Sequence, residues 1–330
     1  MTRTMMMTIV ILLAIARVPA VVAEPSQQHG DIPRAGDSLA TLAALDQSGA
    51  LRNATSLIGR NGAVITFLRS AEWCPSCKVQ LVELEAARTR LAAAGYGLAA
   101  VTIDDVPVLS AFAAERKIGF PLLSGRQAIA ALQMVDPRFN DDPQRRGAPH
   151  PTVYVVNSAL QIVRAFPESE RNTVASMLAR LAMPGTPAER HDTLHLTAAT
   201  WASDSEVAGN RRFSLIVDVA PKASMHVYAP GNHQYKSIAL MVDSMAGLTV
   251  APPEFPPSEP YVFKALNETV PVYAKPFRLI QDVTITPATN GSGAVAPTVR
   301  LTGRLVYQAC DDVVCYPVTT VPLAWKVQVN

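Results

Sequence analysis

The four cysteines of this 330-residue chain fall in two tight pairs, one in each half: Cys74 with Cys77, and Cys310 with Cys315. Two or four residues between partners is close enough for each pair to close on itself. The fold must therefore hold two short cysteine-bearing turns in defined positions. The first, Trp73-Cys74-Pro75-Ser76-Cys77, has the C-x-x-C spacing of a redox dithiol. A static disulfide or half of a zinc site are the alternatives, and no second pair of ligand spacing lies in the same half to complete a zinc site.

Residues 1–23 read as a secretory leader, with Arg3 at the start, an apolar run over 5–16 and the small-residue ending Val21-Val22-Ala23. The run is shorter than the roughly 20 residues that span a bilayer. A periplasmic or secreted protein is expected, in a compartment where disulfides persist. Without Arg3 and Arg17 the 29 basic residues become 27, against 27 acidic. That balance argues against nucleic acid as a partner.

The pattern divides the chain into a lead-in over 24–37, a first domain over 38–182, a linker over 183–192 and a second domain over 193–330. In the first domain, strands are expected over 63–68, 97–103, 152–156 and 161–166, and helices over 78–94, 106–116 and 171–181. The alternation of strand and helix predicts a sheet with helices on both faces. Met183-Pro184-Gly185-Thr186-Pro187 breaks it. Beyond that break, short β-rich runs over 212–219, 238–242, 277–285, 299–307 and 319–329 are separated by Pro, Gly and Asn, which suggests an antiparallel sandwich.

The strand over 63–68 leads to Cys74, and a helix begins there. At a helix N-terminus the unpaired N–H groups and the dipole favour a thiolate, so Cys74 is the expected nucleophile. Cys77, one turn in, is the expected resolving thiol, and Pro75 suits the first turn. A thiolate attacks a disulfide, a mixed disulfide forms, and the second thiol releases it.

Glu72-Trp73-Cys74-Pro75-Ser76-Cys77-Lys78, with Phe120-Pro121-Leu122-Leu123-Ser124 and Pro149-His150-Pro151-Thr152-Val153-Tyr154 downstream, resembles the redoxin branch of the thioredoxin superfamily, which includes the AhpC/TSA-type peroxiredoxins. The resemblance covers 38–182. It implies a thioredoxin-like α/β fold. It also implies a cis peptide bond at Pro151, lying against the cysteines and shaping a substrate groove with Trp73. Two departures matter. Leu68 stands where thioredoxins carry a buried acid, leaving Glu72 and Glu83 as candidate proton acceptors. Ala71 stands where peroxiredoxins carry Thr or Ser, with Ser70 one residue off, so peroxidase chemistry is the alternative reading.

Around the second pair, a strand ending at Tyr307-Gln308-Ala309-Cys310 and another opening at Cys315-Tyr316-Pro317 make a hairpin with the cysteines facing at its mouth. A structural clip and a redox dithiol both fit this spacing. Tyr307-Gln308-Ala309-Cys310-Asp311-Asp312, Cys315-Tyr316-Pro317 and the upstream His226-Val227-Tyr228-Ala229-Pro230-Gly231 resemble the N-terminal periplasmic domain of DsbD-type thiol:disulfide interchange proteins. That resemblance covers 193–330. It implies an immunoglobulin-like sandwich whose cysteine pair exchanges electrons with a thioredoxin-like domain beneath an aromatic cap. Tyr261 or Phe263 is the candidate cap, and Tyr228 the candidate lining residue.

The expectation is an α/β thioredoxin-like domain followed by an all-β immunoglobulin-like sandwich, relaying electrons between Cys74/Cys77 and Cys310/Cys315. A thiol peroxidase, or a partner-binding sandwich with a structural disulfide, are the alternatives. Partners would be protein dithiols and disulfides, with a membrane electron donor of DsbD type among the candidates. No cofactor or metal is expected: His226 and His233 lie seven positions apart and lack a ligand spacing. A linker of about ten residues would raise the effective concentration of one dithiol near the other to about the millimolar range. Asp104 and Asp105 are expected to cap a helix, and Trp201 and Trp325 to be core.

Overall fold

In the first half, period-2 and period-3.6 runs alternate, and the computed structural model arranges them as one seven-stranded sheet with flanking helices. It describes residues 32–181, 185, 187–263, 268–286 and 298–330; the expected leader over 1–23 lies outside these. The elements in order are β1 (Ala43–Asp46), β2 (Leu51–Asn53), β3 (Gly62–Phe67), α1 (Pro75–Ala93), β4 (Tyr96–Thr102), α2 (Val106–Arg116), β5 (Leu122–Ser124), α3 (Arg126–Ala131), β6 (Thr152–Val156), β7 (Ile162–Pro167) and α4 (Val174–Leu178). The sheet order is β2-β1-β5-β4-β3-β6-β7. The central pairs β3–β4 and β4–β5 are parallel, and the outer pairs antiparallel.

β3 is buried along its whole length because both faces of the sheet are covered. Val64 points to a core shared with Leu81 and Leu84 of α1, Leu109 of α2 and Met177 of α4. Ile65 and Phe67 point to the opposite core, against Leu39, Leu57 and Ile129 of α3. α1 buries Cys77, Leu81, Leu84, Ala87 and Leu91, a stripe at helix spacing. Each buried leucine contributes roughly 1.5–3 kcal/mol of apolar transfer. Gly62 is required where β3 begins: its φ is +116°, and a Cβ there would meet the Val156 carbonyl oxygen.

The second half is strand-rich. One five-stranded sheet runs Leu248–Val250, Phe277–Ile285, Arg212–Pro221, Leu196–Ala202, Glu189–Asp192; a four-stranded sheet runs Glu206–Val207, Thr319–Val329, Thr298–Tyr307, Ala239–Val242. Their inner faces share one core, with Phe213, Leu215 and Val217 against Leu301, Leu305 and Trp325. A third sheet, Glu259–Phe263, Glu268–Tyr273, His226–Tyr228, Ala309–Cys310, stands at one end and carries the second cysteine pair. Among the described residues three sheets stand where a two-sheet sandwich was expected, because the chain leaves the main sheets after Pro221 and after Tyr307 to build the third.

The linker expected over 183–192 is shorter. Strand Glu189–Asp192 already pairs with Leu196–Ala202. The closing helix is also shorter than 171–181, since Thr173 caps it by accepting from the Ser176 N–H. This helix, α4, lies on the outer face of the five-stranded sheet, where Ala179 packs with Trp201, Ile216 and Ile280. Trp201 is therefore buried at a contact between domains, whereas Trp325 is inside the second domain. Polar bonds fasten the contact. Arg180, with only 4% of its side chain exposed, pairs with Glu254 and with Asp282 at 2.7 Å. Ser176 and Ser214 hydroxyls meet at 2.9 Å, and the Thr173 hydroxyl donates to Asp204 at 2.8 Å.

Candidate functional site

Cys74 is the N-cap of α1. Its sulfur accepts from the Cys77 N–H at 3.3 Å, Pro75 takes the first helical position, and the two sulfurs are joined as a disulfide. The cap position aims the unpaired N–H groups of the first turn at this sulfur, which favours the thiolate on reduction. Both cysteines are buried, Cys74 at 3% and Cys77 at 2% exposure, so burial does not distinguish the two sulfurs.

The turn before Cys74 is braced from behind. Asp104 is buried at the end of β4 and accepts from the Ser70 hydroxyl at 2.6 Å, the Ala71 N–H at 2.5 Å and the Thr102 hydroxyl at 3.0 Å. Ser70 in turn accepts from the N–H groups of Glu72 and Trp73. Asp104 is thus a brace for the cysteine turn rather than a helix cap. Asp105 holds the cap position of α2 without a side-chain bond. The sequence signal for this was two acids at a strand end, which by itself does not say which one turns inward. Trp73 packs against Phe139 with ring centroids 5.8 Å apart, beneath the Arg145 guanidinium at 5.0 Å. The charged stretch over 141–146 therefore covers the site in part.

A cleft of about 220 Å³ opens beside the pair. Cys77 lines it with Gln80, Glu83, Pro151, Phe166 and Met177, and Arg211 of the second domain closes one side. Pro151 lines this cleft with Cys77. The cis bond that the resemblance implies is absent: among the described residues no peptide bond is cis, so His150–Pro151 is trans. Trans is favoured by about 0.5–1 kcal/mol before proline. The approach to Pro151 is held by the His150 N–H donating to the Met134 carbonyl at 2.9 Å and by the bridge between Val135 and Pro149. Of the two candidate proton acceptors, Glu83 faces this cleft, while Glu72 is exposed and not among its walls. Glu83 has an exposed flank, but the protein crowding its other side raises its pKa above the ordinary carboxylate value, with Arg211 opposing the shift.

At the second pair, Cys310 and Cys315 are joined as a disulfide with Cα atoms 4.1 Å apart, facing each other as an antiparallel bridge. Cys310 is fully buried and Cys315 exposed. The Tyr228 hydroxyl lies 3.1 Å from the Cys310 sulfur and 3.3 Å from that of Cys315. Burial, with Tyr235 and Glu268 nearby, pushes the Tyr228 phenol up to about 12, so it stays protonated and can donate to either sulfur. Tyr235 stacks on Tyr228 at 4.3 Å.

Tyr261, of the two cap candidates, reaches the site. It lies 4.4 Å from the His226 ring, and its hydroxyl donates to Asp312 at 2.6 Å. Phe263 does not: two residues further along the same strand, it pairs with Glu268 and lies outside the cluster around Cys310. His226 was not singled out for the redox site in the sequence, yet its backbone pairs with Cys310. It is buried, which lowers its pKa, against the pull of Asp312 and Asp311. The His233 ring bonds the Ala229 carbonyl at 2.8 Å. Among the described residues no group of three or more His, Cys, Asp or Glu is poised to hold a metal, and no helix is long and apolar enough to cross a membrane.

The two pairs stand at opposite ends of the second domain. Strand Arg212–Pro221 starts beside the Cys77 cleft and, at ~3.3 Å per residue, ends about 30 Å away. Beyond that end lie His226 and, against Tyr316, His195. Strand Thr298–Tyr307 runs the same span and delivers the chain to Cys310. In the docked arrangement the pairs cannot touch.

Residues 35–165 match the AhpC/TSA family. No curated protein matches the chain. Similar solved structures include peroxidoxin BcpB from Mycobacterium tuberculosis (21% identity, 42% of this chain and 87% of that one, TM-score 0.37). Peroxiredoxin Q of Xanthomonas campestris is another (18%, 42% and 86%, 0.36), as is the thiol peroxidase from Chromobacterium violaceum (20%, 42% and 78%, 0.34). Residues 35–165 are thus similar to the AhpC/TSA-type redoxin domain.

Proposed function

We propose that the protein is a thiol:disulfide oxidoreductase in which Cys74 and Cys77 form the working dithiol, and that Cys310 and Cys315, in a DsbD-like domain, are a second redox pair. The observation that carries this is the Cys74 sulfur at the N-cap of α1, bonded by the Cys77 N–H and already paired with Cys77. In that position the reduced Cys74 thiolate is stabilised, attacks a partner disulfide, and is released when Cys77 attacks in turn. Tyr228 serves the second pair as the donor to whichever sulfur leaves as thiolate. We take the protein to be exported, with protein dithiols and disulfides as partners.

A thiol peroxidase is the second reading, favoured by the family match over 35–165. Against it, Ser70 is occupied by Asp104 and by the N–H groups of Glu72 and Trp73, and Ala71 supplies no hydroxyl beside Cys74. The test is a side-by-side rate measurement on the reduced protein with hydrogen peroxide and with a protein disulfide such as that of insulin. Dithiol exchange predicts rapid reduction of the disulfide and slow peroxide consumption. The reverse order would make the redoxin domain a peroxidase, and inertness to both would remove the redox reading.

A further inference from the structure

We propose that His226 is the proton acceptor of the second pair: it takes the proton of the Cys310 thiol as that sulfur attacks Cys315 and closes the disulfide. This rests on the pair being redox-active, as proposed above. His226 is the cross-strand partner of Cys310, and Cys310 in turn faces Cys315, so the three stand in one row across the end sheet. Directly opposed residues of an antiparallel pair point to one face with Cβ atoms about 4.5–5.5 Å apart, which puts the imidazole within reach of the Cys310 sulfur. Tyr228, two positions along the same strand, shares that face. Its hydroxyl lies 3.1 Å from the Cys310 sulfur and its ring 5.8 Å from that of His226.

Burial creates the need for a base. Cys310 is fully buried and Cys315 exposed, so an outside partner reaches Cys315 and the thiol that must then attack is the enclosed one. A thiol surrounded by protein holds its proton and is a weak nucleophile. Tyr228 cannot take that proton, because its phenol, pushed up to about 12, stays a donor. The nearby acids are engaged. Asp311 accepts from the N–H groups of Val313 and Val314 and from the Tyr316 hydroxyl, and Asp312 from the Tyr261 hydroxyl. Glu268 accepts from the Tyr235 hydroxyl at 2.8 Å, and the His233 ring bonds the Ala229 carbonyl. His226 is left facing the thiol, 3% exposed, with the Tyr261 ring 4.4 Å away. Burial favours its neutral, accepting form, while Asp312 and Asp311 supply the negative field that favours the imidazolium once formed.

The step starts from a mixed disulfide between Cys315 and a partner sulfur. The Cys310 proton passes to the imidazole and a Cys310–Cys315 bond forms. The bond from Cys315 to the partner breaks, with its electron pair leaving on the partner sulfur. The pair is oxidised by two electrons and the partner reduced by two. The imidazolium gives its proton to the partner thiolate or to water. In reverse, a partner thiolate attacks Cys315 and the imidazolium protonates the departing Cys310.

The experiment uses the full chain with Cys74→Ser and Cys77→Ser, reduced, with 4,4′-dithiodipyridine as the partner. Attack by Cys315 releases one thiopyridone, and attack by Cys310 releases a second. The mixed disulfide is formed at about pH 4, and the second release is timed after jumps to between about pH 5 and 9. Its rate should climb to a plateau by about pH 6.5 and hold level to about 8.5, where the thiol ionises unaided. His226→Gln should abolish the plateau and slow the release near neutral pH about a hundredfold. Asp312→Asn should move the acid limb to lower pH, because a carboxylate favouring the imidazolium is gone. Should His226→Gln disturb the end sheet, the plateau of the unaltered site and the shift in Asp312→Asn still decide. The proposal is overturned if the second release of the unaltered site rises steadily with pH and shows no plateau, or if His226→Gln keeps both rate and plateau. Either result leaves the pair itself redox-active, since two thiopyridones are released. If one or none is released, the redox reading of the second pair falls as well.

Discussion

Replacing Arg180 with alanine should loosen the two domains without unfolding either. Its guanidinium is almost fully buried and joins Glu254 and Asp282 of the second domain, with further bonds to the Ser176 carbonyl at 2.9 Å and the Ser214 hydroxyl at 3.3 Å. Removing one partner of a buried ion pair costs about 3–5 kcal/mol, because the remaining charge is left unpaired. Asp282 has a side chain only 10% exposed, but that of Glu254 is 38% exposed and recovers water. The loss should therefore lie at or just below the lower end of that range, about 2–3 kcal/mol, which lowers the docking equilibrium by about 30-fold to 160-fold. Hydrogen exchange of the amides in α4 and around Ser214 should accelerate by that factor, with the cores around Leu81 and Phe213 unchanged. A loss below about 1 kcal/mol would refute the assignment of Arg180 as the principal fastener.

Four further outcomes follow from the geometry. Alkylation of the reduced protein against pH should give Cys74 a pKa below the unperturbed ~8.5, and Cys77 a higher one; equal values would remove the helix-cap argument. Changing Cys310 and Cys315 together to serine should cost about 2 kcal/mol by loop entropy for so short a loop, while abolishing exchange at that site; collapse of the domain in a melting curve would make the bridge structural. Tyr228→Phe removes the hydroxyl facing both sulfurs and should raise the pKa of the reduced second pair, read by thiolate absorbance, with little change in folding. Burial holds His226 below its ordinary 6.5, so the unfolded chain takes up that proton first. Stability should therefore fall as the pH drops below about 6.5, and His226→Gln should flatten that part of the profile.

Much of the first domain was legible because its periodicities are strong. α2 lies over 106–116 as its spacing predicts, and β6 over 152–156. The hairpin Ala43–Asp46 and Leu51–Asn53 was not, since three- and four-residue strands of mixed polarity carry no clear period. In the second domain the strands Phe277–Ile285 and Thr319–Val329 stand where the apolar runs put them. Leu196–Ala202 escaped because its small and polar residues alternate weakly. Tyr261 and Phe263 lie two apart on one strand and so share a face. Only the tertiary position of Asp312 and His226 separates them. The docking of α4 was invisible in sequence because Trp201, Ile216 and Ile280 come from three strands. The trans bond at Pro151 departs from the family pattern, and the pattern alone could not have revealed it.

The central claim is that Cys74 and Cys77 are a working dithiol, and a redox titration tests it most directly. With Cys310→Ser and Cys315→Ser to isolate the first pair, the full chain is equilibrated in thiol–disulfide buffers and the oxidised fraction read by trapping and mass. The account predicts a reversible two-electron transition between about −270 and −120 mV, the range of catalytic C-x-x-C pairs. A pair that stays oxidised below about −300 mV, as structural disulfides do, would contradict it.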